Sequence, residues 1–174
     1  MNEIDLKKIK LVIWDLDNTL WNGILTEGNI TDNEAHYSFV RQLTDVGIVC
    51  SICSKNDTEP VEKELERIGL SDYFVFKSIN WETKGVRVKK IIDDMHLRAI
   101  NVLFLDYDSR NLAEVKSVLP EINCALPDVI PDLQKQIDES FKNDKEHKRL
   151  QQYKVLERKT SDAEKFGKDT DFLR

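Results

Sequence analysis

The feature that most constrains the fold is a regular alternation of short apolar runs with amphipathic helical segments. The apolar runs cover residues 10–14, 47–53, 73–76, 101–105 and 122–126. Continuous apolar runs of this length are typical of strands that are buried on both faces. Helical spacing of apolar residues, as in 34–46 and 84–95, fills the intervals between them. We therefore predict an α/β fold, a Rossmann-like parallel sheet of about five strands with helices on both faces.

The composition changes after residue 130. Residues 131–174 are rich in charged residues and Gln, and their apolar residues suit two helices, one containing Leu133, Ile137 and Phe141 and one containing Leu150, Tyr153 and Leu156. We predict an α/β domain over 1–130 and a C-terminal helical extension over 131–174. The pattern leaves open whether the extension docks on the domain or binds a partner.

Composition excludes several classes of protein. The 174 residues carry 26 Lys and Arg against 32 Asp and Glu, a net charge of −6, which argues against a general nucleic-acid binder. No apolar run reaches the roughly 18 residues that a membrane helix needs. The three cysteines make no even disulfide framework. The cysteines and the lack of a signal-peptide core predict a cytoplasmic protein. The net charge and the short apolar runs predict that it binds neither nucleic acid nor membrane.

Polar residues end three of the predicted strands: Asp15, Ser54 and Asp106. The carboxyl ends of parallel strands meet at one edge of the sheet, where ligands bind in α/β folds. A second carboxylate, Asp17, follows Asp15 by two residues. Charges beside a buried strand need a partner or a metal ion, so we expect a functional site at this edge.

These residues resemble the motifs of the haloacid dehalogenase (HAD) superfamily of phosphatases and phosphotransferases. Residues 14–21 resemble its first motif. The later motifs follow in order, with Ser54 as the phosphate-binding hydroxyl, Lys84 as the motif lysine, and Asp106 with Asp108 as the acidic motif. The resemblance spans about residues 11–127.

The resemblance implies a role for each residue. Asp15 would be the nucleophile that forms an aspartyl-phosphate, and Asp17 the general acid and base. Mg²⁺ would be held by Asp15, the backbone carbonyl of Asp17, and Asp106. Ser54 and Lys84 would complete the catalytic set. The residues implied in phosphate or substrate binding are Asn18, Thr19, Ser54, Lys55, Asn56 and Lys84.

Cap domains of the superfamily are inserted after the first motif or between the second and third. The interval from Asp15 to Ser54 is filled by one predicted helix and one strand, and so is the interval from Ser54 to Lys84. We therefore expect a cap-less enzyme with only a small flap over 21–31. An open site suits a bulky or carrier-borne substrate.

Several segments resemble the FkbH-like domains of HAD subfamily IIIC more closely. They are residues 14–23, 52–56, 79–81 ahead of Lys84, 152–154 and 171–174. That resemblance implies a phosphorylated glycerate as substrate and an acyl carrier protein as partner. One hypothesis is that Cys53 carries a glyceryl thioester; the alternative is a buried strand cysteine.

The fourth motif departs from the FkbH-like pattern, which has two adjacent acids. Here Tyr107 separates Asp106 from Asp108, so Asp108 is a possible additional site residue. Residues 108–111 also resemble small magnesium-dependent phosphatases that act on sugar phosphates or phosphotyrosine, which gives a second candidate function. A third candidate is a non-catalytic HAD-like scaffold that binds a partner through its helical tail.

Overall fold

The computed structural model describes residues 3–172, with side chains as far as residue 168, so the ends of the two predicted domains lie outside the described residues. In this part of the chain, five parallel strands form one sheet. They are β1 Leu11–Trp14, β2 Val49–Lys55, β3 Ser78–Asn80, β4 Val102–Leu105 and β5 Asn123–Ala125. Their order across the sheet is β3-β2-β1-β4-β5. The predicted fold class is confirmed.

Six α-helices within residues 3–172 surround the sheet. They are α1 Glu34–Asp45, α2 Thr58–Arg67, α3 Lys84–Asp94, α4 Ser109–Val118, α5 Ile130–Gln136 and α6 Lys148–Phe172. Buried side chains of α1, α2 and α5 belong to one hydrophobic cluster, and those of α3, α4 and α6 belong to a second. None of the helices in the described chain is long and apolar enough to cross a membrane.

The strands divide their side chains between the two clusters because successive residues of a strand point to opposite faces. Val12 and Trp14 of β1 lie in the first cluster, whereas Leu11 and Ile13 lie in the second. All four are fully buried. This explains why the strands read as continuous apolar runs rather than as alternating patterns.

The strand predicted over residues 73–76 is wrong. Phe74 makes only an isolated bridge to Cys50, and the regular pairing begins at Ser78, which lies opposite Cys53. Phe76 between them has a left-handed φ of 54°, which turns the chain out of the extended conformation. The apolar character of the segment reflects the burial of Phe74 and Val75.

The helix predicted to carry Leu133, Ile137 and Phe141 is shorter than expected. It ends at Gln136, and Ile137 has extended backbone angles. Ile137 and Phe141 nevertheless pack against the first hydrophobic cluster. The apolar spacing therefore indicated which side chains are buried but not how far the helix extends.

Helix α6 docks on the sheet layer. Its Leu150 is 4% exposed and lies in the second cluster. Further along, a Glu157 carboxylate oxygen accepts the backbone N–H of Phe76 at 2.5 Å. Glu164 pairs with Lys90 of α3 at 3.0 Å. Leu150 thus anchors α6 in the second cluster, and Glu157 and Glu164 add polar contacts along the helix.

Replacing Leu150 by Ala is expected to lower the free energy of unfolding by about 2–5 kcal/mol, because the substitution leaves a cavity in the second cluster. The matched control is Val155→Ala on the same helix, whose side chain is 41% exposed. The control should change stability by less than about 0.5 kcal/mol. Urea unfolding of both variants measures the difference, and equal small effects would contradict the docking of α6.

Candidate active site

The site lies where the order of the sheet reverses. β1 is central, the chain proceeds to β2 and β3 on one side, and it returns to β4 and β5 on the other. Asp15 follows β1 directly and Asp106 follows β4 directly. Since β1 and β4 are neighbours, both carboxylates emerge at the topological switch point, the usual ligand-binding position in such sheets.

A tight turn over residues 16–20 carries the chain away from Asp15. Asn18 has a left-handed φ of 53°, and its side-chain oxygen accepts the backbone N–H of Gly23 at 2.9 Å. Gly23 has a φ of 87°, and a Cβ at this position would lie 2.6 Å from the carbonyl oxygen of Asn29. Glycine is therefore required where the turn meets the segment beginning at Trp21.

A buried lysine joins the two strand-end carboxylates. The Lys84 ammonium, at the start of α3, lies 2.8 Å from Asp15 Oδ1 and 2.7 Å from Asp106 Oδ2. The three residues are at most 4% exposed. Two carboxylates and one ammonium leave an excess negative charge in a largely desolvated site.

Burial, the largest effect, raises the pKa of Asp15 to about 7, and the charge of Asp106 adds to the rise. The Lys84 ammonium opposes this shift. For Lys84, burial alone would lower the pKa, but Asp15 and Asp106 outweigh it and raise the pKa. The lysine therefore stays charged, and it is the main group that stabilises the Asp15 carboxylate.

The Thr19 hydroxyl fixes the second oxygen of Asp15. It donates to Asp15 Oδ2 at 3.1 Å and accepts the backbone N–H of Tyr107 at 3.1 Å. Thr19 is 1% exposed, and its hydroxyl thus links the loop after β1 to the loop after β4. The Asp15 carboxylate is held at both oxygens.

Asp106 is held by the first turn of α4. Its Oδ1 accepts the backbone N–H of Asp108 at 2.9 Å, and its Oδ2 accepts the side-chain amide of Asn111 at 3.1 Å. These bonds orient a carboxylate that is fully buried.

Asp17 connects the flap with the end of β2. Its Oδ1 accepts the Trp21 indole N–H at 3.0 Å and the Leu25 backbone N–H at 2.9 Å. Its Oδ2 accepts the Asn56 amide at 3.0 Å, and the same amide donates to Ser54 Oγ at 3.3 Å. Asp17, Asn56 and Ser54 therefore form one network beside Asp15.

Other predicted site residues lie apart from these two networks. Lys55 ends β2 half-buried and makes no side-chain hydrogen bond within the described chain. The Asp108 carboxylate caps α4 and pairs with exposed Arg110 at 2.8 Å, and the hydrogen bonds from Arg110 lower its pKa to about 2. Cys53 is fully buried in the second cluster, and burial raises the pKa of its thiol to about 11. This favours the interpretation of Cys53 as a buried strand cysteine.

The oxygen atoms at this edge fit a hard divalent cation. Asp15 and Asp106 supply two carboxylates at the positions where excess negative charge accumulates. No three Asp, Glu, His or Cys side chains converge within the described residues. A cation would therefore complete its coordination with backbone oxygens and water, as Mg²⁺ commonly does.

Three residues in and around the site were missed by sequence reasoning: His36, Asn111 and Arg87. His36 Nδ1 lies 2.6 Å from the Thr19 carbonyl oxygen. Asn111 bonds Asp106, and Arg87 bonds the Ser54 carbonyl oxygen at 2.7 Å. The position of Asn111 just after the acidic motif was an available signal, whereas the other two residues sit in ordinary helical patterns.

The sequence matches no protein-family model and no curated protein. Solved structures do match. One is the N-terminal part of a Bacteroides fragilis protein containing a phosphatase domain, complexed with Mg, with a TM-score of 0.62 and 23% identity. The match covers 78% of this chain and 41% of that chain, so this chain spans less than half of that structure.

Two further structures are similar in size to this chain. A cobalt-bound deoxy-D-mannose-octulosonate 8-phosphate phosphatase from Haemophilus influenzae matches 75% of this chain and 89% of its own, with a TM-score of 0.57 and 15% identity. A putative HAD superfamily (subfamily III A) hydrolase from Legionella pneumophila matches 90% and 87%, with a TM-score of 0.56 and 17% identity. All three identities are under 25%, so the shared property is the fold. The chain therefore shares the Rossmann-like α/β fold of these three structures.

Proposed function

We propose that the protein is a Mg²⁺-dependent HAD-type phosphatase or phosphotransferase that acts on a phosphorylated small molecule. The observation that carries the proposal is the buried Lys84 ammonium between the Asp15 and Asp106 carboxylates. A nucleophilic carboxylate, a fixed cation and a hydroxyl at the end of the next strand are the groups that phosphoryl transfer through an enzyme carboxylate needs. The magnesium and phosphatase descriptions of similar structures support it.

Each step uses groups of this chain. An Asp15 oxygen attacks phosphorus, the bond from phosphorus to the leaving oxygen breaks, and Asp17 gives that oxygen a proton. Water then attacks the aspartyl-phosphate, Asp17 takes a proton from it, and the bond to Asp15 breaks. Lys84 and Ser54 hold the charged phosphoryl oxygens throughout. When bound, Mg²⁺ would neutralise charge and orient the phosphate, held by Asp15, Asp106 and the Asp17 carbonyl.

Removal of divalent metal is expected to abolish phosphate release from an aryl phosphate, and added Mg²⁺ should restore it. Binding to the folded state should also stabilise the protein, by about 2.7 kcal/mol at a hundredfold excess over the dissociation constant. Asp106→Asn is the control, since it should lose both effects. An active chelator-treated protein, or a melting temperature insensitive to Mg²⁺, would contradict the metal assignment.

The similar structures suggest which substrate class to test first. Several similar structures are 3-deoxy-D-manno-octulosonate 8-phosphate phosphatases, one of them in complex with a magnesium ion, a phosphate ion and a KDO molecule. We therefore infer a sugar phosphate or sugar-acid phosphate as the first substrate class to test.

FkbH-like glyceryl loading is the second candidate, favoured by the sequence segments around Trp81 and Lys84. It would use a phosphorylated glycerate and an acyl carrier protein. Side-by-side turnover of bisphosphorylated glycerate and of sugar-acid phosphates distinguishes the two candidates. Transfer of the glyceryl group to a carrier protein, lost in Cys53→Ser, would favour loading through a thioester.

We also propose a reducing, cytoplasmic location. Cys50, Cys53 and Cys124 are all free thiols, and two of them are buried.

Phosphate release without any transferase activity would place the protein in the simple phosphatase class. Mg²⁺ binding without turnover of any of these phosphates would instead favour the scaffold function.

A further inference from the structure

Arg87, one turn into α3, is a buried arginine whose guanidinium joins three separate segments. Nε donates to Ser78 Oγ at 2.9 Å, and Nη1 donates to the Glu82 carbonyl oxygen at 2.9 Å. Nη2 donates to the carbonyl oxygens of Ser54 and Ser78, both at 2.7 Å. Four of the five N–H donors of the side chain are thus used near the C-terminal end of β2, at the start of β3 and on the loop before α3.

The positive charge of Arg87 has no anionic partner in the described structure. The side chain is 6% exposed, and no carboxylate of residues 3–168 lies within ion-pair distance of it. A buried charge is normally paired, because its desolvation is costly. Carbonyl dipoles therefore stabilise this cation, and its charge stays uncompensated directly behind Ser54.

The segments that Arg87 joins carry the phosphate-handling groups. Ser54 is the penultimate residue of β2, and the loop held at Glu82 leads within two residues to Lys84. Arg87 and Lys84 lie three residues apart on α3, close to one face of the helix. The guanidinium thus connects Ser54, which holds a phosphoryl oxygen in the proposed mechanism, with the loop before Lys84, which contacts Asp15.

We propose that Arg87 is a positioning residue for phosphate, which sets Ser54 and Lys84 at the spacing one phosphoryl group requires and adds an unpaired positive charge behind it. The proposal rests on the proposed phosphatase function. A planar guanidinium suits this task because it bonds several carbonyl oxygens in fixed directions, whereas a lysine ammonium carries the charge without that geometry.

The test compares Arg87→Met, Arg87→Lys and Ser78→Ala with the wild type. The readouts are kcat and KM for an aryl phosphate with Mg²⁺, the inhibition constant of inorganic phosphate, and the melting temperature. The matched control is Val88→Ala, the buried neighbour of Arg87 in the second cluster. It loses packing but keeps every bond of the guanidinium.

We expect Arg87→Met to lower kcat/KM by about 10²-fold, as a misplacement near 1 Å does. Its inhibition constant for phosphate should rise about tenfold, because the variant lacks the positive charge behind Ser54 that attracts the phosphate. Arg87→Lys should recover phosphate affinity but not kcat, since it keeps only the charge. Ser78→Ala should lower kcat/KM and raise the inhibition constant, each by a smaller factor than Arg87→Met does. Val88→Ala should lower only the melting temperature.

An inhibition constant within twofold of the wild type in Arg87→Met, or an equal change in Val88→Ala, would overturn the proposal. If Arg87→Met does not fold, Ser78→Ala decides, because it loosens the guanidinium without removing it. Wild-type protein that neither releases nor binds phosphate would overturn the proposed function itself, whereas an active wild type with unaffected variants would overturn only the role of Arg87.

Discussion

Asp15→Asn is expected to lower phosphate release by roughly 10⁴- to 10⁶-fold, the usual cost of removing a nucleophile that acts within a catalytic unit. An amide at this position has no anionic oxygen with which to attack phosphorus, and it leaves the excess negative charge of the site reduced. The measurement is steady-state phosphate release from an aryl phosphate at saturating Mg²⁺. Residual activity within a hundredfold of the wild type would show that the attacking group is a different one.

The same variant should fold at least as well as the wild type in metal-free buffer at pH 8, which separates lost chemistry from lost structure. The pKa of Asp15 rises from 3.8 to about 7 on folding, mainly through burial. A raised carboxyl pKa means that stability falls as the pH increases between those values and stays reduced above them. Asn is neutral at every pH, so the gain in unfolding free energy of Asp15→Asn over the wild type should be smaller at pH 5 than at pH 8. A lower unfolding free energy for Asp15→Asn at pH 8 would contradict this.

Lys84→Met is expected to cause the largest loss of stability, about 3–5 kcal/mol, since it leaves two buried carboxylates facing each other without their shared counter-charge. Urea unfolding in the presence of a chelator measures it. The loss should grow with pH, because the carboxylates repel each other only when ionised. Mg²⁺ should restore part of the stability, since a cation can take over the neutralising charge.

Lys89→Met is the matched control for Lys84→Met. Lys89 lies on the same helix, its side chain is 51% exposed, and it pairs with Asp93 on the surface. Exposed pairs of this kind contribute about 0.2–1 kcal/mol. Equal losses in the two variants would show that the Lys84 bridge does not hold the site together.

The strand-end residues were predictable because their signal is local. Asp15 and Asp106 each follow a continuous apolar run. The alternation of strands and helices predicts a parallel sheet, in which the residues that follow the strands lie at one edge. The lysine was predictable only from the motif order, since a helix lysine in isolation is usually exposed. In the structure it is 2% exposed.

The remaining features depend on contacts distant in the chain. Arg87 reaches the carbonyl of Ser54 across 33 residues, and Thr19 reaches Tyr107 across 88. No periodicity records such bonds. The displacement of β3 likewise follows from the left-handed backbone of Phe76, a conformation that sequence rules reserve for Gly, Asn and Asp.

Cys50 and Cys53 lie on opposite faces of β2, so their thiols can report separately on the opening of the two helical layers that cover the sheet. Each thiol is fully buried, one in each hydrophobic cluster, and burial raises the pKa values to about 12 and about 11. A thiol reagent can reach either cysteine only after local or global unfolding has exposed it. Labelling rates under native conditions would therefore report separately how often the α1 side and the α3 side of the same strand detach. Loosening α6 should speed the labelling of Cys53 alone.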